Sequence, residues 1–473
     1  MHPSQFLSST ETLEPVKDTE SQAKLATTLR NEIGDRWERS PLLTVIPPLL
    51  TCRVSVVIPV QNEADNLPAV LEALAHQVDG ECRQIDPDIY EILVLANNCT
   101  DKTVEVVKTL SDRHPFLRLH VIDVTLPREA AFVGKARQMV MDEACRRFSL
   151  IGLSNRIIAS TDGDTEVASN WIYSLLCEFD KGVDAVGGRI LARRADEPDI
   201  SAKVSLYYLR RVAHAYLSSQ ISCLIDPQLH DGWPRHFQFC GANMAVSAQM
   251  YARVDGMPLV RDEEDVALYQ RLQKADAKIR HSLDVRVTTS ARQTGRATSG
   301  LSELLTALSY GEKQDALVES PVLTEARIVV RRYLWQVWAV LRGDRHNPLD
   351  SSAYNFTVKD YAKTAELLAR SLGVPVFELR SQLESAVTFG ELVTALFTQQ
   401  LEHLAPSLFA TTTEISSANQ YLRQRLSDVR KCAVDPVEKL VAASEPLQLG
   451  PSSRVVLEAL QQVQAIPLFP PAY

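Results

Sequence analysis

Apolar runs and amphipathic stretches alternate along residues 53–290. Short apolar runs predict buried strands, and apolar residues at helical spacing predict helices. The predicted strands are 54–60, 91–96, 117–124, 156–161, 185–190 and 284–289, and the predicted helices are 66–76, 103–112, 135–148, 171–179, 204–219 and 264–274. Strands and helices in this order form right-handed βαβ units, so the sequence predicts an α/β fold with a mostly parallel sheet and flanking helices.

Helical patterns dominate after residue 300. They lie at 326–341, 360–372, 391–404 and 419–429, and they show no repeat period. Residues 20–39 also have a helical pattern and lead into a proline-interrupted segment. We therefore expect a partly helical N-terminal extension over 1–50, an α/β domain over 51–300 and a mostly helical C-terminal region over 301–473.

The composition narrows the classes of function. A net charge of −9 argues against a nucleic-acid-binding surface, which needs a basic excess. The eight cysteines contain no Cys-x-x-Cys pair, which argues against a zinc ribbon. No secretory signal pattern and no apolar window of bilayer length is present in the sequence. These features predict a soluble, cytoplasmic protein without a transmembrane segment, and they leave peripheral membrane contact open.

The apolar run 157–161 ends abruptly in Asp162-Gly163-Asp164. If the run is a buried parallel strand, both carboxylates lie at the carboxyl edge of the sheet, where open α/β folds bind ligands. Two hard oxygen ligands on a tight turn suit Mg²⁺ or Mn²⁺ bridging a diphosphate. The alternative is an ordinary solvated turn, since Asp and Gly are common turn residues.

Other polar groups also follow predicted strands or precede predicted helices. Asn97 and Asn98 end the second strand, and their amides can pair with a base or ribose edge. Asp101, which follows them, is expected to cap the next helix. Four acids in a row, 262–265, precede a helix and exceed what a helix N-terminus requires electrostatically.

The order of these pieces resembles the family 2 glycosyltransferases, which are nucleotide-sugar enzymes of the GT-A class. The matching pieces are Val-Ile-Pro-Val-Gln-Asn-Glu-Ala at 57–64, Asn-Asn-Cys-Thr-Asp-Lys-Thr at 97–103, Gly-Lys-Ala-Arg at 134–137, Asp-Gly-Asp at 162–164, Gly-Ala-Asn at 241–243 and Glu-Asp-Val-Ala-Leu at 264–268. The resemblance covers about 53–298 and implies a GT-A fold for the α/β domain. The Gln/Arg-x-x-Arg-Trp motif of processive members is missing from the sequence, which favours transfer of one sugar to a discrete acceptor.

The resemblance also implies roles for individual residues. On the donor side it implies a nucleoside pocket lined by Pro59, Glu63, Asn97 and Asn98, a cation near the diphosphate from Lys135 or Arg137, and a Mg²⁺ or Mn²⁺ ion on Asp162 and Asp164. Many members of the family have aspartate where Asn97 or Asn98 falls, so the resemblance does not identify the nucleobase of the donor. It further implies Asp265 as the general base with Glu264 in support, and close approach of the backbone to the donor sugar or the acceptor at Gly241 and Asn243. Arg292 and Arg296 lie in the polar loop that closes the domain, where they can bind a phosphate or an anionic acceptor. His281 is a candidate third metal ligand only by its order in the chain.

The first hypothesis is therefore a metal-dependent glycosyltransferase that moves a sugar from a nucleotide-sugar to a hydroxyl acceptor with inversion. A sugar-phosphate nucleotidyltransferase is one alternative, but it needs a glycine-rich, basic loop after the first strand. A non-catalytic glycosyltransferase-like binding module is the other alternative. The helical C-terminal region is compatible with covering the site, recognising the acceptor or forming an oligomer interface.

Overall fold

A computed structural model describes residues 43–44, 46–192, 202–290, 317–341, 365–366, 368–370, 372–397 and 412–432. An eight-stranded sheet forms its centre, in the order β3-β2-β1-β4-β7-β6-β8-β5. The strands are β1 Val54–Val60, β2 Tyr90–Asn97, β3 Leu119–Val124, β4 Ile157–Thr161, β5 Thr165–Val167, β6 Ala185–Ala192, β7 Asn243–Ser247 and β8 Ile279–Thr289. The predicted α/β fold is confirmed, and every predicted strand is present.

The sheet is mixed rather than uniformly parallel. Strands β3, β2, β1 and β4 pair in parallel, and β6 pairs in parallel with β8. Strand β7 runs antiparallel to both β4 and β6, and β5 runs antiparallel to β8. We call the edge where β1, β2 and β4 end the carboxyl edge, and the opposite edge the amino edge.

Helices cover both faces of the sheet, as the alternating pattern predicts. In the α/β domain they are α1 Leu67–Ala75, α2 Thr103–Arg113, α3 Val133–Ser149, α4 Trp171–Asp180, α5 Ala202–Ile225, α6 Ala248–Arg253 and α7 Glu264–Lys274. One buried core contains side chains of α1, α2 and α4, and the other contains side chains of α3, α6 and α7. The sheet is thus the middle of three layers, and α3 and α7 share one face of it.

The described C-terminal residues are mostly helical, with α8 Pro321–Leu341, α9 Val376–Ser385, α10 Ile415–Cys432 and a further helix over 389–397. An unpredicted two-stranded ribbon joins β9 Leu317–Glu319 to β10 Thr412–Glu414. Helices α8 and α9 and the helix over 389–397 share one apolar core.

The helix over 389–397 contacts the α/β domain at the end of α7. Asp276 accepts hydrogen bonds from the backbone N–H groups of Phe389 and Gly390, both at 2.7 Å. The Thr388 hydroxyl donates to the Lys274 carbonyl at 2.5 Å. The C-terminal region therefore contacts the same helix whose first turn carries Glu264.

Several sequence predictions lie outside the described residues. They are the helix at 20–39, Arg292, Arg296, and parts of the helices at 360–372 and 391–404. Among the residues that are described, no helix has both the length and the apolar character needed to cross a bilayer.

Candidate active site

The Asp162-Gly163-Asp164 segment forms the turn between β4 and β5, at the carboxyl edge of the sheet. Both aspartates are partly exposed. Gly163 packs against the end of β1 so closely that a Cβ atom would lie 2.6 Å from Val60 Cγ1 and 3.2 Å from Glu63 Cγ. Glycine is therefore required here, and the turn holds both carboxylates at a fixed place on the edge.

Arg137, in the second turn of α3, joins this turn to the beginning of α7. Its Nη2 donates to Asp162 Oδ1 at 2.8 Å, and its Nε donates to Glu264 Oε1 at 2.9 Å. Its Nη1 donates to Ser160 Oγ at 2.7 Å and to the Gly241 carbonyl at 3.0 Å. Burial alone would lower the pKa of Arg137, but the two carboxylates raise it above its usual value, so the guanidinium stays charged.

Glu264 and Asp265 are neighbours in sequence but differ in surroundings. The Glu264 side chain is 7% exposed and is engaged by Arg137. Asp265 is partly exposed, and its Oδ2 accepts a hydrogen bond from the Gly241 N–H at 2.8 Å. Glu264 is thus held inside the protein, whereas Asp265 faces a place that a ligand can reach.

The loop before β7 packs against Arg137 and Asp265. A Cβ atom on Gly241 would lie 2.5 Å from Arg137 Cζ, so only glycine lets the guanidinium pack against this loop. Burial, followed by the charges of Asp265 and Asp162, raises the pKa of the neighbouring Cys240 thiol to about 12. Cys240 is therefore a neutral thiol at physiological pH and not a nucleophile.

Asn97 ends β2 at the same edge and has a buried side chain, 3% exposed. Among the described residues, none hydrogen-bonds its Oδ1 atom. A buried acceptor without a partner is unusual in a folded protein and is the kind of atom that a ligand N–H satisfies. Asn97 thus has an unsatisfied acceptor at the edge where the nucleoside contact is predicted, and that contact stays a prediction.

The other residues predicted for the nucleoside pocket are hydrogen-bonded within neighbouring loops or buried in a strand. Asn98, with a φ of 53°, donates from Nδ2 to the Leu126 carbonyl at 2.9 Å and accepts from the Leu126 N–H at 2.8 Å. Glu63 is buried and accepts from Asn66 Nδ2 at 2.8 Å. Pro59 is buried within β1. Their proposed contact with a nucleoside stays a prediction.

Asn243 opens β7, and its side chain lies in the core with 1% exposure. Its Oδ1 accepts from Trp171 Nε1 at 2.9 Å, and its Nδ2 donates to the carbonyls of Arg189 and Val285 at 3.1 and 3.0 Å. This amide therefore ties neighbouring elements together and is fully engaged. The Asn243 side chain is therefore not available to a ligand, and the close approach of the backbone to a donor sugar or acceptor at Gly241 and Asn243 stays a prediction.

The predicted cationic contacts are placed differently from one another. Lys135 is partly exposed, and its Nζ donates to Gln138 Oε1 at 3.1 Å. Its neighbour Gly134 lies against the start of α7, where a Cβ atom would be 3.3 Å from Glu264 Cβ. Lys135 is therefore beside the site, while Arg292 and Arg296 lie outside the described residues.

In the structure, His281 lies away from the Asp162-Gly163-Asp164 turn. Thr289, at the far end of β8, is the residue that pairs with Thr165 beside that turn. His281 lies near the beginning of β8, and its Nδ1 is 2.8 Å from Asp231 Oδ2. Across the described part of the chain, no group of three or more His, Cys, Asp or Glu residues is arranged to hold a metal ion.

Residues 55–226 match the family model described as Glycosyl transferase family 2. This span runs from β1 to the end of α5 and includes α3 and the Asp162-Gly163-Asp164 turn. The match covers about a third of the chain, so it is the α/β domain that is similar to glycosyl transferase family 2. The fold of this domain is a GT-A-like mixed sheet with flanking helices.

Individual proteins similar to this chain are distant from it in sequence. Glycosyltransferase AglE of Haloferax volcanii is 28% identical over 138 residues, which are 29% of this chain and 39% of that protein. A mannosyltransferase of Pyrobaculum calidifontis, solved with GDP-Man and Mn²⁺, is 17% identical over 81% of this chain and 96% of its own, with a TM-score of 0.36. TarS of S. aureus, solved with UDP-GlcNAc, is 13% identical over 74% and 92%, with a TM-score of 0.37.

Part of the arrangement of this candidate site was not predicted from the sequence. Arg137 was predicted beside a donor diphosphate, but its guanidinium is buried between Asp162 and Glu264. Ser160 and Cys240 were not predicted to lie there at all. The signal for Arg137 was its place near the beginning of α3, the helix that follows β3, but nothing in the local sequence identifies its partners.

Proposed function

We propose that the carboxyl edge binds a nucleotide-sugar through a divalent cation held by Asp162 and Asp164, and that Asp265 deprotonates the acceptor hydroxyl. The supporting observation is that one guanidinium contacts both the aspartate turn and the beginning of α7. A metal-binding pair and a base are useful to a transferase only when they face the same bound substrate. Both carboxylate groups converge on one place although they are about a hundred residues apart in sequence.

The two aspartates have the chemistry that a hard divalent cation requires. Carboxylate oxygens on a rigid turn suit Mg²⁺ or Mn²⁺, which commonly complete their coordination with phosphate oxygens and water. When bound, such an ion acts as a Lewis acid that neutralises the charge of the departing nucleoside diphosphate. At the end of β2, Asn97 Oδ1 would accept a hydrogen bond from the nucleobase of the donor.

Asp265 has the position and the partner that a general base needs. Its carboxylate is held by the Gly241 N–H and remains partly exposed, so an acceptor hydroxyl can approach it. The hydroxyl oxygen bonds to the anomeric carbon as the bond from that carbon to the diphosphate oxygen breaks, and the hydroxyl proton passes to Asp265. Attack from the face opposite the leaving group gives inversion.

The test is release of nucleoside diphosphate from a panel of nucleotide-sugars with Mn²⁺, for the wild type and Asp265→Asn. The substitution keeps the shape and the hydrogen bond from Gly241 but removes the base, so we expect release to fall about 10²–10⁴-fold for the preferred donor. Asp262→Asn is the matched control, because Asp262 is an exposed acid in the same acidic run. Full activity of Asp265→Asn would remove Asp265 from its proposed role.

The binding-module hypothesis makes a different prediction in the same assay. A module of that kind would bind one nucleotide-sugar without releasing product under any condition, and Asp265→Asn would bind as the wild type does.

A further inference from the structure

We propose that Arg137 is a positioning residue that holds the metal-binding turn and the acidic first turn of α7 in a single arrangement. This role rests on the proposed function, since it assigns Arg137 to the geometry of that same site. Arg137 touches neither substrate in this account. It acts through Asp162 on the donor side and through Glu264 and Gly241 on the acceptor side.

The hydrogen-bond partners of Arg137 are widely separated along the chain. Arg137 lies 23 residues before Ser160, 25 before Asp162, 104 before Gly241 and 127 before Glu264. These partners belong to β4 with its following turn, the loop before β7, and α7. A single side chain therefore fixes three separate elements of the site relative to α3.

The guanidinium of Arg137 has a geometry that a lysine cannot reproduce. Its Nε and Nη2 atoms point to two different carboxylates, while Nη1 is shared between a hydroxyl and a carbonyl. A lysine ammonium is a single point charge and cannot span these directions at once. The arrangement thus depends on the planar fork and not only on the positive charge.

The hydrogen bond from Arg137 also orients Asp162, which is a proposed metal ligand. Groups that hydrogen-bond to a ligating carboxylate orient it, and removing them typically lowers metal affinity about 10–100-fold. Arg137 contacts Asp162 at Oδ1 and pairs with Glu264 through a different nitrogen. Loss of the fork should therefore disturb metal binding and the placement of Asp265 together.

The same helix supplies a matched control. Arg147 is 1% exposed and pairs with Glu91, with Nε to Oε1 at 3.0 Å and Nη2 to Oε2 at 2.5 Å. It also donates to Thr44 Oγ1 and to the Ile46 carbonyl. Arg147→Lys therefore replaces an equally buried guanidinium of α3 by an ammonium, at the end of the helix that lies away from the site.

The experiment measures Mn²⁺ binding to the full chain by electron paramagnetic resonance of the free ion, together with kcat and KM for nucleoside diphosphate release. For Arg137→Lys we expect the Kd for Mn²⁺ to rise about 10–100-fold and kcat to fall with it. For Arg147→Lys we expect both quantities within about twofold of the wild type, whatever stability it loses. Equal Mn²⁺ affinity and equal kcat in the two variants would overturn the positioning role.

Ser160→Ala keeps the inference testable if Arg137→Lys does not fold. It removes one hydrogen bond to Nη1 and leaves the charge and the metal-binding carboxylates in place, so we expect a smaller loss in the same direction. A folded Ser160→Ala protein with wild-type Mn²⁺ affinity and kcat would count against the role. A wild type that binds no Mn²⁺ would instead contradict the proposed function itself.

Discussion

The two edges of the central sheet carry similar chemical groups in different surroundings. At the carboxyl edge, Asp162-Gly163-Asp164 follows β4, and both aspartates lie beside the groups that Arg137 gathers. At the amino edge, Asp86-Pro87-Asp88 precedes β2 with the same spacing of two aspartates. There Asp86 accepts a hydrogen bond from the Asp88 N–H within a short turn, and Asp88 pairs with an exposed Arg118 at 3.2 Å.

The two buried arginines of α3 show the same contrast. Arg137 contacts the turn after β4, the loop before β7 and α7, whereas Arg147 contacts Glu91 at the beginning of β2 and the chain before β1. Both are buried and both are paired with carboxylates. Burial and ion pairing therefore do not distinguish a residue of the site from a residue of the scaffold.

The difference between the edges lies in where the chain turns. Parallel strands end together at the carboxyl edge, so loops from distant parts of the sequence converge there and leave room for a ligand. At the amino edge, the Asp86-Pro87-Asp88 turn only connects β2 to the segment just before it. We therefore assign the chemistry to the carboxyl edge and a stabilising role to the amino edge, and each assignment can be tested alone.

The largest expected effect on stability is at the amino edge. Glu91→Ala leaves the Arg147 guanidinium buried without its carboxylate partner, and breaking such a pair typically lowers the free energy of unfolding by about 3–5 kcal/mol. Urea denaturation of the wild type and the variant measures this loss. We expect the folded fraction of Glu91→Ala to bind Mn²⁺ as the wild type does.

The control for Glu91→Ala is Glu81→Ala, which removes an exposed partner of Arg83 and should change stability little. If the folded Glu91→Ala protein lost its Mn²⁺ affinity, the separation between a chemical and a structural edge would fail.

A smaller effect concerns the pH dependence of stability. His236 is buried between β6 and β8, with its Nε2 3.0 Å from the carbonyls of Gly187 and Ser282. Burial, followed by the charge of His281, lowers the pKa of His236 from 6.5 to about 4. Between these values the unfolded chain binds a proton that the folded chain does not. Stability should therefore be fully present above pH 6.5 and fall by about 3 kcal/mol as the pH drops to 4.

The measurement is the free energy of unfolding at pH 7 and pH 4.5 for the wild type and His236→Gln. Glutamine can still donate to a carbonyl but does not titrate, so the variant should lose less stability on acidification than the wild type. His76→Gln, at an exposed histidine, should keep the wild-type dependence. Identical acid sensitivity of wild type and His236→Gln would show that His236 is not the titrating group.

The fold was predictable where one pattern dominates a segment. Strands β1, β2 and β4 are buried along their whole length and are predominantly apolar, because both faces of a central strand are covered. Strand β7 was missed, since it has five residues and begins with the polar Asn243. Its pairing with β4 and β6 depends on contacts that no local pattern records.

The site was predictable only as far as its local motifs. The position of Asp162 at the carboxyl edge follows from the abrupt end of an apolar run. The burial of Asn243 does not follow, because its amide bonds with Trp171 and two carbonyls are formed only in the folded sheet. The contact between Arg137 and Glu264 joins residues 127 positions apart, which a motif read along the chain cannot show.

The most direct test of the account is whether the aspartates of the carboxyl edge, and not those of the amino edge, bind a nucleotide through a metal ion. We would measure thermal stabilisation by a panel of nucleoside diphosphates and nucleotide-sugars, with and without Mn²⁺, for three proteins: the wild type, Asp162→Ala/Asp164→Ala and Asp86→Ala/Asp88→Ala. The account predicts Mn²⁺-dependent stabilisation by one nucleotide, lost in the first double variant and retained in the second. Stabilisation that survives Asp162→Ala/Asp164→Ala would contradict it.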